Sequence, residues 1–551
     1  MNSLILLGAG FIFVLTAYIV YGKYLAKQLG IDDKNPTPAH TMNDGIDYVP
    51  TKPLILFGHH FSAIAGAGPI VGPVLGAAFG WLPVYLWLVV GGIFIGAVHD
   101  FTSLVASIRH SGRSIGEVVE ARVGRAGKIL FLLFSWTALV IICAAFTNID
   151  AQTFAEHPEA GSSSMMFMII AMLFGFGVYR RNFSVGLSSV IGVALLILCI
   201  WLGNIFPIVL SKTEWIWILL VYISIASVLP VWLLLQPRDY LNAYLLFFMI
   251  IGGFVGIIIG HPTIQMERFT GFEQNIGYLF PILFVTVACG AISGFHSLVS
   301  SGTSSKQLGR ESDARIIGYG AMVVETLVGI MALITAGLLT KGEYLNYLSP
   351  DGGGPILLFS NGMGRIMESF GLPYELGVNF TALTVSAFVL TTLDAAARIT
   401  RYNFQEFFVI SGKKEQHILA TNRYIATIIS VTVAGVLALS GSYLVLWPLF
   451  GTSNQLLATL ALLAVSVWLA EIQKRNWFVK YPMIFMFLVT ISALVTVIYQ
   501  NFQKGNVVQV CFGVFLLIVA IVLVFLAVKK MMKLYIAAKV APKPAKVMLK
   551  S

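Results

Sequence analysis

Charge is what this sequence has least of. Asp, Glu, Lys and Arg make up only 11% of the 551 residues, where a soluble domain carries about 25%. Hydrophobic residues make up 58%, with 52 glycines besides, and the mean hydropathy is +0.86. That balance excludes a soluble enzyme, and with it the disordered, collagen-like and nucleic-acid-binding classes. Cysteine is scarce too. Cys143, Cys199, Cys289 and Cys511 all sit in apolar stretches, none at CxxC spacing. Neither a disulfide framework nor a zinc ribbon fits; they read as small membrane-core side chains. Length alone would suggest roughly three or four soluble domains; the composition instead describes one polytopic, all-helical membrane domain.

What is present is hydrophobic length. Fifteen apolar spans are each compatible with a bilayer crossing: 3–22, 54–79, 82–107, 128–147, 164–179, 187–209, 214–235, 240–260, 278–303, 315–340, 376–400, 420–440, 443–468, 482–500 and 507–528. A crossing helix needs about 20 residues. No cation precedes the first span, and Lys23 and Lys27 follow it. It therefore reads as a retained span with the N-terminus outside, not as a secretory signal.

Alternation from there assigns 23–53, 108–128, 180–186, 236–239, 304–315, 398–423, 469–481 and the tail from Lys529 to the cytoplasm. These hold 30 of the 35 Lys and Arg residues, and the outer loops hold 5. The split follows the positive-inside rule and accounts for the net charge of +10. The tail, 529–551, is expected to lie on anionic lipid headgroups. The outer segment 341–375, with Gly352-Gly353-Gly354-Pro355, reads as a folded lid.

Two spans are not ordinary helices. The first carries Gly58, Gly66, Gly68 and Gly72 with Pro69 and Pro73. Glycine costs about 1 kcal/mol and proline about 3 kcal/mol in a helix interior. Proline also frees a carbonyl that hydrocarbon cannot satisfy, so such a break belongs beside a cavity. The second, Ala288 to Thr303, is interrupted in the same way and carries five hydroxyls and His296. Ala63-Ile64-Ala65-Gly66 in the first matches Ala291-Ile292-Ser293-Gly294 in the second, and the topology runs them in opposite directions. Matching breaks in opposite orientation mark an inverted repeat with two discontinuous helices, expected to be non-helical around Gly66–Pro69 and Ser293–Phe295. Close packing through small residues is the alternative.

Longer motifs carry a family resemblance. They are Pro38-Ala39-His40-Thr41-Met42-Asn43-Asp44-Gly45, Phe57-Gly58-His59-His60-Phe61, Val98-His99-Asp100-Phe101, Gly294-Phe295-His296-Ser297 and Trp447-Pro448-Leu449-Phe450-Gly451-Thr452-Ser453-Asn454-Gln455. Together they resemble the carbon starvation protein A (CstA) family, over most of the chain to about residue 470. The resemblance implies a bacterial or archaeal inner-membrane transporter related to the amino acid–polyamine–cation superfamily, with the leucine-transporter (LeuT) fold. It also implies uptake of pyruvate or short peptides when carbon is scarce, with proton coupling for pyruvate. Long family members continue past the C-terminus of this chain. On that fold 54–209 is the first repeat, 214–260 an inserted helix pair and 278–468 the second repeat, with 482–528 peripheral.

Candidate site residues follow from the breaks. No Lys or Arg falls near the centre of a span, so a substrate carboxylate is expected on half-helix N-termini. These offer free N–H groups and a partial positive charge. That selects Ala65, Gly66 and Gly68 at the first break, and Ser293, His296 and Ser297 at the second. His59 and His60 flank the first break and can add a proton; packing against freed backbone carbonyls is their other reading. Asn454 lies in a polar turn that reads equally as substrate-lining or as an interhelical hydrogen-bond knot. His99-Asp100 reads as a structural or gating pair. A metal site built on His59, His60, His99 and a carboxylate has no supporting spacing such as HExxH, so no metal or other cofactor is assigned.

Two coupling ions compete. Glu325 and Asp394 lie within spans and favour protons, because an ionised carboxylate is costly in low dielectric. Thr391-Thr392 lie in the helix that carries a sodium site in leucine-transporter relatives, and their hydroxyls can pair with carbonyls of the first broken helix. The alternative to a transporter is a channel or a sensor that keeps the fold. A channel would show charge rings or a repeated filter, and the sequence has neither.

Overall fold

The computed structural model describes residues 2–45, 48–181, 183–230, 233–349, 352–409, 417–441 and 443–540. The basic tail beyond 540 lies outside the described residues. Among those described, eleven helices are long and apolar enough to cross a membrane, and twelve if one bent pair counts as a single span. The chain is a polytopic, all-helical membrane protein. Two further helices, Lys212–Val228 and Arg423–Leu439, are shorter, at 17 residues each. Helix starts at the span edges are capped. In Ser211–Glu214 the Ser211 Oγ accepts from Glu214 N at 3.4 Å, and Glu214 Oε2 accepts from Ser211 N at 2.7 Å. The pair satisfies two N–H groups that a helix start otherwise leaves open.

The bent pair is the first glycine- and proline-rich span. It runs as Pro53–Ile64 and Gly68–Phe79, bent by 45°. The non-helical residues are 65–67, slightly earlier than the Gly66–Pro69 expected from sequence. Pro69 instead falls in the first turn of the second half, where its missing N–H removes no helical bond. The second broken span consists of Leu279–Thr286, a non-helical stretch through Ser293, and a new helix from Gly294 that continues through a π-turn at Ser300–Ser304. Phe295 is therefore helical, and the break lies ahead of it.

The two breaks pack against each other in antiparallel sense. A Cβ on Gly68 would meet Cys289 Sγ at 2.3 Å, and one on Gly72 would meet the Thr286 carbonyl oxygen at 2.7 Å. Only glycine allows this approach. The Trp81–Arg109 and Arg315–Gly337 helices flank the breaks. Arg125–Glu156, Tyr374–Phe407 and Tyr443–Glu471 close the other side. The second of these last three runs antiparallel to the first, with Asn403 Nδ2 donating to Ser135 Oγ at 2.8 Å.

Four of the basic loops gather at one end. Glu311 accepts from the Asp32 N–H at 3.0 Å and pairs with Arg109 at 3.1 Å, and Lys474 Nζ donates to the Leu29 carbonyl at 2.8 Å. These contacts join loops 23–53, 108–128, 304–315 and 469–481 at one end. At the other end Ser3 N donates to Pro262 O at 3.0 Å, and Gln265 N donates to Gly337 O at 2.8 Å. The segment after Gly337 folds as two helices, Lys341–Tyr347 and Gly354–Glu368. Tyr344 OH donates to the Val74 carbonyl at 2.8 Å, which seats this segment over the second half of the first broken helix.

Candidate functional site

Between the two breaks lies a small cavity. It measures about 10 Å³ in space open to a water's centre, about what one water needs. Gly66 and Gly68 line it from the first break, Ser293 from the second, and Phe146, Thr392 and Asn454 from the surrounding helices. Asn454 sets the second half-helix. Its Oδ1 accepts from Phe295 N at 2.9 Å, and its Nδ2 donates to Ser293 Oγ at 3.0 Å and to Cys289 Sγ at 3.4 Å. This is a helix cap supplied from another helix. It is an interhelical knot and a cavity wall at once.

Thr392 Oγ1 donates to the Ala63 carbonyl at 3.3 Å, at the end of the first half-helix. Thr391 turns away. It donates to the Ala387 carbonyl of its own helix at 2.9 Å and accepts from Asn242 Nδ2 at 3.2 Å. Ala65 is buried at the break. Ser297 donates back to the Gly294 carbonyl at 2.7 Å. His59 and His60 stand below the break. His60 Nδ1 lies 2.7 Å from Ser304 Oγ, and His59 Nδ1 lies 3.4 Å from Asp239 Oδ2.

Beside the second break is a chain of four ionisable groups, all fully buried. His99 Nδ1 and Asp100 Oδ1 are 2.7 Å apart, and His296 Nδ1 and Asp100 Oδ2 are 2.8 Å apart. On the far side of its ring, His296 Nε2 lies 3.4 Å from Glu325 Oε2. His99 and Asp100 follow a π-turn, Gly92–Gly96, and Glu325 sits one turn into the straight helix after another π-turn. Each π-turn rotates the helix that follows it. Buried Asp, Glu and His in series are what a proton path through hydrocarbon requires. The sequence singled out His296 and Glu325 separately. It did not join them through Asp100, because contacts 196 residues apart leave no local pattern.

A second polar network surrounds Asp394. Arg238 donates to Asp394 Oδ2, and Tyr222 OH donates to the same oxygen at 2.5 Å. Arg238 Nη2 lies 3.5 Å from Asp239 Oδ1. Arg238 is 2% exposed, a buried cation at a span end rather than near its centre. Its sequence position suggested a cytoplasmic loop, but residues 236–239 form the first turn of the Leu235–Gly260 helix. The guanidinium is committed to two carboxylates, so it is not free for a substrate anion. Among the described residues, no group of three or more His, Cys, Asp or Glu is placed to hold a metal ion.

Comparison with known proteins agrees with the sequence motifs. The family model for carbon starvation protein CstA matches residues 2–353 and 348–493. Peptide transporter CstA of Escherichia coli is 36% identical over 89% of this chain and 80% of that protein. Peptide transporter CstA of Bacillus subtilis is 33% identical over 96% of this chain and 97% of its own length. Pyruvate/proton symporter BtsT of Escherichia coli is 33% identical over 87% of this chain and 79% of that protein. Among solved structures, a manganese transporter of Eremococcus coleocola in complex with an aromatic bis-isothiourea compound aligns with a TM-score of 0.53. It covers 90% of this chain and 99% of that one at 11% identity, a likeness of fold alone. On the family match and the length of these alignments, the chain belongs to the carbon starvation protein CstA family.

Proposed function

We propose that this chain is a secondary active transporter importing a small carboxylate such as pyruvate, or a short peptide, by proton symport. Its setting is a bacterial or archaeal cytoplasmic membrane, with the N-terminus outside and the C-terminus inside. The two substrate classes are those named for the relatives. One observation carries the reading: a small cavity between two antiparallel helix breaks adjoins the buried chain His99–Asp100–His296–Glu325. A helix start leaves its first N–H groups without intrahelical partners. Asn454 takes the one at Phe295. Its neighbours at Gly294 and His296, with those at Gly68, supply the positive end for a substrate carboxylate.

A proton taken up at Glu325 or His296 travels with the substrate. Bound at Glu325, it removes a negative charge that the cavity cannot hold alone. The assignment of 54–209 and 278–468 as inverted repeats of a LeuT-like fold is supported by the antiparallel course of the breaks. Transport is then alternating access, with the broken helices rocking against the Arg125–Glu156 and Tyr374–Phe407 helices. The cavity holds about one water, so this is a closed conformation that widens to admit substrate.

A sodium-coupled reading has one observation in its favour, the Thr392 hydroxyl on the Ala63 carbonyl. Liposomes carrying the purified protein test both. Labelled pyruvate is set against di- and tripeptides under an imposed ΔpH or an imposed sodium gradient, with counterflow as the control. Counterflow together with ΔpH-driven accumulation is the expected result. Absence of counterflow for every substrate leaves a channel or sensor.

A further inference from the structure

Asp150 is a buried carboxylate that the mechanism above does not use. It is fully buried near the outer end of the Arg125–Glu156 helix, and neither of its oxygens has a hydrogen-bond partner. One turn before it, Phe146 lines the central cavity. On either side of it in sequence, Ile149 and Thr153 line a second small cavity, together with Gly353 and Ile356 of the lid segment. Asp150 therefore stands at the level between the central site and the lid.

Charge balance around it does not close. Asp394 and Arg238 are the charged groups within electrostatic reach. Arg238 is already shared by Asp394 and Asp239. Arg238 neutralises one of these three carboxylates, and His59 Nδ1 stands 3.4 Å from a second, Asp239. Asp150 is the third and has neither. Tyr222 is committed to Asp394, and Cys143 Sγ lies 3.8 Å from Thr400 Oγ1. Arg398, buried one turn after Asp394, is committed to the Ala226 and Leu229 carbonyls, and the other charges named on the helices packed here, Glu159, Lys212, Glu214, Arg423 and Glu471, lie in terminal turns. Asp394 Oδ1 and Thr147 Oγ1 are likewise buried without partners. An isolated ionised carboxylate in such a place takes up a proton rather than stay charged.

We propose that Asp150 is a second proton-carrying site, separate from the His296–Glu325 cluster, so that each cycle moves two protons. The proton binds an Asp150 carboxylate oxygen from the lid side and leaves it when the pocket opens to the other face. The stoichiometry rests on the symport reading above, but the protonation of Asp150 does not.

Two measurements test it. The infrared spectrum of the purified full-length protein is compared with that of Asp150→Asn. A protonated-carboxyl C=O band present in the first and missing from the second is expected, and identical spectra overturn the proposal. Asp150→Glu, which should displace that band, decides the matter if the Asn variant cannot be purified. In liposomes with the membrane potential clamped at zero, accumulation of labelled pyruvate or dipeptide should rise about 100-fold per imposed pH unit. For Asp150→Asn it should rise about tenfold, since each proton contributes one factor of ten. Equal slopes for the two proteins overturn the proposal. If neither substrate accumulates in wild type, the symport reading fails, and the infrared band alone decides Asp150.

Discussion

Asn454→Ala isolates the device that sets the second break. Asn454 is fully buried and uses both ends of its amide there, on Phe295 N at 2.9 Å, Ser293 Oγ at 3.0 Å and Cys289 Sγ at 3.4 Å. Losing this cap leaves the Phe295 N–H buried without a partner, which costs about 1–3 kcal/mol. The variant should therefore be about 1–3 kcal/mol less stable, and its half-helix N-terminus should no longer be held towards the cavity. Asn454→Asp separates the two effects. It keeps an acceptor for Phe295 N but places a negative charge beside the N–H groups proposed for the substrate carboxylate. The Ala variant should melt early and exchange substrate with a raised KM. The Asp variant should keep most of the stability and transport nothing. Thermal unfolding in detergent and counterflow in liposomes read the two quantities separately. An Ala variant that melts and exchanges like wild type refutes the reasoning.

Gly68→Ala places a Cβ at 2.2 Å from Cys289 Cβ, so counterflow should be lost. Cys289→Gly in the same chain should restore it, whereas Cys289→Ala should not. Asp394→Asn strips Arg238 of its main partner and should cost about 3 kcal/mol in thermal unfolding experiments, with Arg238→Met recovering much of it. Ser111→Cys tests sidedness: it should resist a membrane-impermeant thiol reagent added outside intact cells, and ready labelling would reverse the topology.

Much of the fold was legible because hydrocarbon is a strict solvent. Every apolar stretch named from sequence overlaps helix, since backbone groups in a bilayer must bond within their own segment. The breaks were visible for the same reason, as glycine and proline have few other uses there. Their limits shifted by a few residues because Pro69 suits a first helical turn better than a gap. The site was legible only in pieces. His296 and Glu325 stood out as polar groups in apolar surroundings, but Asp100 joins them through tertiary packing alone. Arg238 was misplaced because a cation beside Pro237 at a span end looks like loop. Asp150, three residues past the expected end of its span, was not singled out, and the helix runs on to Glu156. Trp215, at a span end where a tryptophan commonly meets the interface, is buried against Phe154, with ring centroids 5.0 Å apart.

The claim that matters most is that a proton bound beside the second break drives uptake. Glu325→Gln mimics the protonated carboxyl and cannot release its proton. His296 keeps its bond to Asp100 at 2.8 Å, so the fold should persist. In liposomes with the membrane potential clamped, the variant should retain counterflow while its accumulation ratio falls about tenfold for each unit of imposed ΔpH, the share of one proton. Accumulation by Glu325→Gln with the wild-type dependence on ΔpH would contradict the account. So would wild-type accumulation that follows an imposed sodium gradient and ignores ΔpH.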